Sequence, residues 1–197
     1  MYIELNNIVN RNCWSNCIKN IIDSLGYSHV FNNVDTNTKY LHLFKRRMRD
    51  QFIQEWHTVI NSSPKLDYYA KFKENFCYED YLDKSKNDTL RQSFSRLRLS
   101  SHSLEIETGR YNGVDRMNRL CKLCNQNLVE TEYHFLLCCT QYRDIRIKYL
   151  GHQSWPTLNK FNSFMSTKNS NLLYKISKFV TEAFVIRTDA LNNLLTI

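Results

Sequence analysis

The residues best equipped for chemistry in this sequence lie between Arg119 and Tyr142: Arg-Leu-Cys-Lys-Leu-Cys-Asn-Gln-Asn-Leu-Val-Glu-Thr-Glu-Tyr-His-Phe-Leu-Leu-Cys-Cys-Thr-Gln-Tyr. Cys121 and Cys124 are two residues apart in gap, which lets a tight turn aim both sulfurs at one ion. His134 follows after nine intervening residues, and Cys138 and Cys139 close the segment. Soft thiolate with imidazole is the preferred company of Zn2+, which takes four ligands tetrahedrally in structural sites. A closed set of four leaves no position for a substrate water, so the expected metal is structural rather than catalytic. Its binding energy then becomes folding energy, on the order of 10 kcal/mol in small zinc modules. A redox role for the Cys-x-x-Cys pair is disfavoured, because the neighbouring βαβ pattern that such pairs normally accompany is missing. Unrelated core thiols beside a core histidine are the plain alternative, and the coincidence of pair, spacing and final ligand argues against it.

Two cysteines compete to close the site. Thr131, flanked by Glu130 and Glu132, reads as the start of a short helix that carries His134 inward. In a regular helix Cys138 lies about 40° around the axis from His134, and Cys139 about 140°. Geometry therefore prefers Cys138 slightly; Cys139 reaches the ion only if the helix loosens there. Zinc sites tolerate spacings of about three to five residues at this point, so both stay open.

Cations crowd the approach to this segment. Between Arg91 and Lys122 stand seven, Arg91, Arg96, Arg98, Arg110, Arg116, Arg119 and Lys122, against the three acids Glu105, Glu107 and Asp115. Arginine grips phosphate bidentately while an exposed ring such as Tyr111 can stack on a splayed base. Arg96, Arg98, Arg110, Arg116, Arg119 and Lys122 are accordingly the candidate nucleic-acid contacts, whereas Tyr133, beside a candidate ligand on a short helix, reads as packing.

The elements that must position these groups are helical. Only 4 Gly and 2 Pro occur in 197 residues, too few for a turn-rich β protein. Apolar periodicity predicts helices over 15–25, with Gly26 ending it, and over 40–61, with Leu41, Phe44, Met48, Phe52, Trp56, Val59 and Ile60 on one stripe. Lys45, Arg46, Arg47 and Arg49 interrupt that stripe and read equally as a solvated face. Pro64 suits the first turn of the next helix, in which Tyr68, Tyr69 and Phe72 pack. Glu79, Asp80 and Asp83 read as acids favouring a helix N-terminus. Asp88 caps a helix to about Leu99, with Leu90, Phe94 and Leu97 inward and Arg91, Arg96 and Arg98 outward. Residues 100–113 read as a loop or short strand. Helices over 142–150, ended by Gly151, over 157–165 and over 172–187 complete the chain. In the last, Leu172, Leu173, Ile176, Phe179, Val180, Ala183 and Phe184 form an apolar face. Residues 32–37 read as an Asn-rich loop, and Cys13 and Cys17 as thiols without a metal partner set.

Composition bounds the rest. The apolar share of 42% excludes a disordered chain, and the net charge of +8 with pI near 9.1 favours phosphate-bearing partners. No secretory signal opens the sequence and no apolar run approaches the ~20 residues that cross a bilayer. The expected setting is intracellular, nuclear or cytoplasmic, where seven cysteines are thiols or metal ligands rather than disulfides. The expected fold class is mainly α, an irregular helical assembly with a small CCHC zinc knuckle. Its expected divisions are a basic helical region at 1–112, the knuckle with its following helix at 113–150, and C-terminal helices at 151–197.

The run Cys121-x-x-Cys124, Glu130-Thr131-Glu132-Tyr133-His134-Phe135-Leu136-Leu137, Cys139 and Tyr142 resembles the C-terminal zinc region of non-LTR (LINE-type, Jockey-like) retrotransposon reverse transcriptases. Flanking runs carry the likeness over most of the chain: Leu43 to Arg47 with Arg49 to Gln51, Lys65 to Tyr69, Arg96 to His102, Glu107 to Tyr111, and Trp155 to Phe161. Thr140 stands where the family usually has Pro. Matched residue by residue, the resemblance implies Cys121, Cys124, His134 and Cys139 as ligands of Zn2+. It also implies binding of RNA, single-stranded DNA or target DNA during target-primed reverse transcription. It does not extend to polymerase activity: no Asp-Asp pair exists in the sequence, and Tyr81-Leu82-Asp83-Lys84 puts Lys at the second acid of the nearest look-alike. The chain thus reads as a non-enzymatic C-terminal fragment lacking polymerase and endonuclease sites. The alternatives are a structural remnant, or an interaction module whose 172–184 face docks on the missing polymerase domain.

Overall fold

Apolar spacing of three and four residues does build helices across the described residues. The computed structural model describes residues 14–29, 38–152 and 156–195, and among these it is mainly α, with one isolated antiparallel bridge and no strand. The expected loop at 32–37, and Cys13 and Trp155, lie outside the described residues. No helix among the described residues is long and apolar enough to cross a membrane.

The chain divides into two units, Met1–Thr58 and Val59–Ile197. The expected divisions at 112/113 and 150/151 both fall inside the second. In the first unit, α1 (Trp14–Ser24) ends at Gly26, whose φ of +76° lets Tyr27 N–H reach back to the Ile22 carbonyl at 2.9 Å. The long helix α2 (Thr38–Ser62) begins here and ends in the second unit. Its apolar stripe is less buried than the periodicity suggests: Ile60 is buried, while Leu41, Met48, Phe52 and Val59 keep roughly half their surface exposed.

The second unit holds the core. Pro64 opens a short 3-10 turn, and α3 (Asp67–Phe72), α4 (Tyr81–Lys84), α5 (Asp88–Arg98) and α6 (Glu105–Tyr111) follow. After the cysteine-rich segment come α7 (Arg143–Leu150), α8 (Leu158–Met165) and α9 (Ser170–Leu195). Helix α9 packs on both α5 and α7, and α8 packs on α3. Phe94 and Leu97 of α5 meet Leu173, Ile176, Phe179, Val180 and Ala183 of α9 in one buried cluster with Phe135, Leu136 and Tyr142. The apolar face of α9 is therefore filled from within the chain and is not an open dock. Tyr68 and Phe72 turn ring edges to Phe161, as packing residues should.

Three local expectations change. Asn87, not Asp88, caps α5, its side chain accepting from Leu90 N–H at 3.0 Å. Arg98 faces inward: its guanidinium bonds the Met165 carbonyl and Glu79 and lies against Phe72 and Tyr81. Residues 105–111 are helix rather than loop or strand. The alternation Leu104-Glu105-Ile106-Glu107 is too short to outweigh two acids in a first turn, and Gly109 lets the helix close on Arg119, whose Cγ would stand 2.7 Å from an added Cβ.

Candidate metal centre

The Cys-x-x-Cys turn is built as a miniature hairpin. Leu120 and Val129 form the bridge, with Cys121 N–H donating to the Leu128 carbonyl and Glu130 N–H to the Arg119 carbonyl, each at 2.9 Å. Asn127 takes a φ of +52°, a conformation Asn tolerates better than most residues. The hairpin leaves Cys121 and Cys124 buried and facing the next element.

That element starts at Thr131, whose hydroxyl accepts from His134 N–H at 3.1 Å. Residues His134–Cys138 then form a π-turn, in which Cys139 N–H bonds the His134 carbonyl at 2.8 Å, five residues back. This wider turn is the loosening that Cys139 needs to return to the same face as His134. Cys138, which a regular helix would have favoured, is left half-buried beside Tyr133.

The ligand atoms of Cys121, Cys124, His134 and Cys139 all lie within 4.8 Å of one another, and all four residues are buried. Cys121 Sγ is 3.9 Å from Cys139 Sγ, and Cys124 Sγ is 3.3 Å from His134 Nε2. Such a group can hold a metal ion. Its thiols share protons unequally: hydrogen bonding from Cys139, with help from His134, draws the Cys121 thiol well below the usual range despite burial. The same contact with Cys121, reinforced by burial, pushes Cys139 up, and burial raises Cys124. One ligand is thus predisposed to the thiolate form that a metal requires.

Around the four ligands lies a buried polar frame. Arg146 donates to the carbonyls of Leu136, at 2.8 Å, and Cys139, at 2.9 Å, and reaches that of Phe135 at 3.4 Å, so one guanidinium holds the π-turn. Glu130 is clamped bidentately by Arg187 of α9 at 2.9 and 2.7 Å and accepts from Glu105 N–H. Glu132 meets His102 Nε2 at 3.0 Å and accepts from the Ser100 hydroxyl. Glu130 and Glu132 flank the start of the short helix that carries His134 inward, and both are buried and bonded to residues distant in sequence. Arg146 and Arg187 carried no signal beyond being cations on apolar-patterned helices.

The candidate nucleic-acid residues fare differently from one another. Arg96 is exposed, while Arg98 is buried as described. Arg110 pairs with Glu107 at 2.9 Å, Arg116 with Asp67 at 2.7 Å and Lys122 with Glu105 at 2.9 Å. Arg119 donates to the Val114 and Ile106 carbonyls, both at 2.9 Å, tying the hairpin to α6. Tyr111 is 75% exposed with the Arg110 guanidinium over its ring, and Tyr133 packs edge-on to Phe161.

Comparison of the chain with protein-family models, with curated proteins and with solved structures gives no match.

Proposed function

We propose that the chain is a zinc-stabilised helical module that binds single-stranded RNA or DNA through phosphate contacts, of the kind found at the C-terminus of LINE-type reverse transcriptases, and that it is not an enzyme. The observation that carries this reading is the convergence of three buried sulfurs and one imidazole. Bonds of about 2.3 Å from zinc to sulfur make the edges of a tetrahedron about 3.8 Å long. The 3.9 Å between Cys121 and Cys139 fits that edge, and the donor set is the one that selects zinc over hard cations. The net charge of +8 and the exposed Arg96 support a polyanionic partner.

The tests are metal content and salt-titrated binding. Purified chain should hold one equivalent of zinc and His134→Ala should lose it. Affinity for a single-stranded RNA should fall with log salt at about −0.7 per phosphate neutralised. A metal-free wild type overturns the zinc assignment, and a flat salt response overturns the nucleic-acid one.

A second reading, a structural module with no nucleic-acid partner, is favoured by the pairing of Arg98, Arg110, Arg116 and Lys122 with carboxylates of the chain itself. It predicts stoichiometric zinc with RNA binding no tighter than that of any protein of equal charge.

A further inference from the structure

Many cations of the second unit are paired with acids: Arg91 with Asp88, Arg98 with Glu79, Arg110 with Glu107, Arg116 with Asp67, Lys148 with Glu182 and Arg187 with Glu130. One cavity gathers basic groups with no acid beside them. It measures about 190 Å³, and its lining includes Arg143, Arg146, His152 and Lys160 but no carboxylate among the described residues. The side chains of Arg143, His152 and Lys160 make no hydrogen bond or ion pair among the described residues.

We infer that this cavity is a phosphate-binding pocket, in which Arg143, His152 and Lys160 contact the oxyanion above the fixed guanidinium of Arg146. Several basic groups around one space repel each other unless an anion joins them, and the repulsion becomes attraction for a compact, multiply charged oxyanion. Arg146 is held by three backbone carbonyls of the π-turn, so its charge is preorganised. Gly151, at φ +75°, ends α7 and turns the chain so that His152 lines the same space as Arg143. Leu137 and Ile147 supply the apolar part of the lining. A phosphate group can come free in solution or as a nucleic-acid phosphodiester. The second source rests on the nucleic-acid reading above; the pocket itself does not.

The experiment uses the zinc-loaded full chain and two charge-matched double variants, Arg143→Gln with Lys160→Gln, and Lys175→Gln with Lys178→Gln on α9. Inorganic phosphate is titrated calorimetrically, and a uridine decamer without terminal phosphates is followed by fluorescence anisotropy. The pocket variant should lose phosphate affinity about tenfold or more, as expected for charge-assisted contacts, and the α9 variant less than about twofold. Absent phosphate binding in the wild type, or equal losses in both variants, overturns the pocket. If the decamer weakens in step with phosphate, the phosphodiester is an occupant. If phosphate alone weakens, the occupant is the free anion and nucleic acid binds elsewhere. If the wild type takes phosphate but never the decamer, the pocket stands and the nucleic-acid reading fails.

Discussion

Cys138 and Cys139 are adjacent in sequence, yet only the second joins Cys121, Cys124 and His134. The difference lies in one backbone hydrogen bond, from Cys139 N–H to the His134 carbonyl, which widens the turn. Cys139→Ser should therefore abolish stoichiometric metal, whereas Cys138→Ser should retain one equivalent. Atomic absorption on the purified variants reads this directly, and metal loss in both would mean the turn is wrongly placed. Arg146 enters the same argument. Replacing it with Met strips two or three buried carbonyls of their donor, which should cost about 2–4 kcal/mol in urea unfolding of the zinc-loaded chain. A change under about 0.5 kcal/mol would remove its assigned role. At this scale the sequence revealed Cys121, Cys124 and His134 through spacing alone. It left Cys138 against Cys139 open because the choice depends on a departure from helical regularity, and that departure is held by an arginine seven residues beyond Cys139.

Helix α9 shows how an element ties the site to the core. Its apolar face was legible in the 172–184 periodicity, but its destination was not, since any amphipathic helix announces a buried face without naming what buries it. The same limit hid Arg98, whose helical position looks outward until Glu79 and Met165 are brought beside it. Helix α6 was missed because four alternating residues imitate a strand while the decisive contact, Gly109 against Arg119, is distant in sequence. Arg187 on α9 reaches Glu130 of the hairpin as a buried pair, so Arg187→Met should destabilise by about 3–5 kcal/mol by leaving a carboxylate uncompensated. Adding Glu130→Gln should recover much of that loss, and an additive double variant would contradict the pairing. Between α7 and α9, Glu182 accepts from the Tyr149 hydroxyl at 2.6 Å and pairs with Lys148, contacts that hold its carboxyl below the ordinary range. A carboxylate so depressed adds stability above its unfolded pKa and loses it as pH falls through the folded value. Glu182→Gln should therefore flatten the acid-side fall in stability; an unaltered acid limb in thermal melts at stepped pH would refute the contact.

At the scale of the whole molecule, an ion in the cysteine group would tie short segments to the core. In the first unit Leu25 is the one buried residue among those described, whereas the second unit gathers a continuous core around the cysteine group. The four ligands belong to a hairpin and a π-turn, both short segments that bury too little apolar surface to fix themselves. Under the proposed zinc reading, their order comes from the ion together with the Arg146 and Arg187 contacts to α7 and α9. Domain stabilities are about 5–15 kcal/mol, and a structural zinc contributes on the order of 10 kcal/mol, so removing it should consume most of the second unit's margin. A chelator should lower the thermal midpoint of this unit by tens of degrees, by the usual scaling of midpoint with stability, and expose the hairpin at 119–130 to protease first. Zinc should restore both, while magnesium, which prefers oxygen ligands, should restore neither. Equal midpoints with and without chelator would show that the core stands without the ion, and that the thiols of Cys121, Cys124 and Cys139 are packing residues that happen to converge.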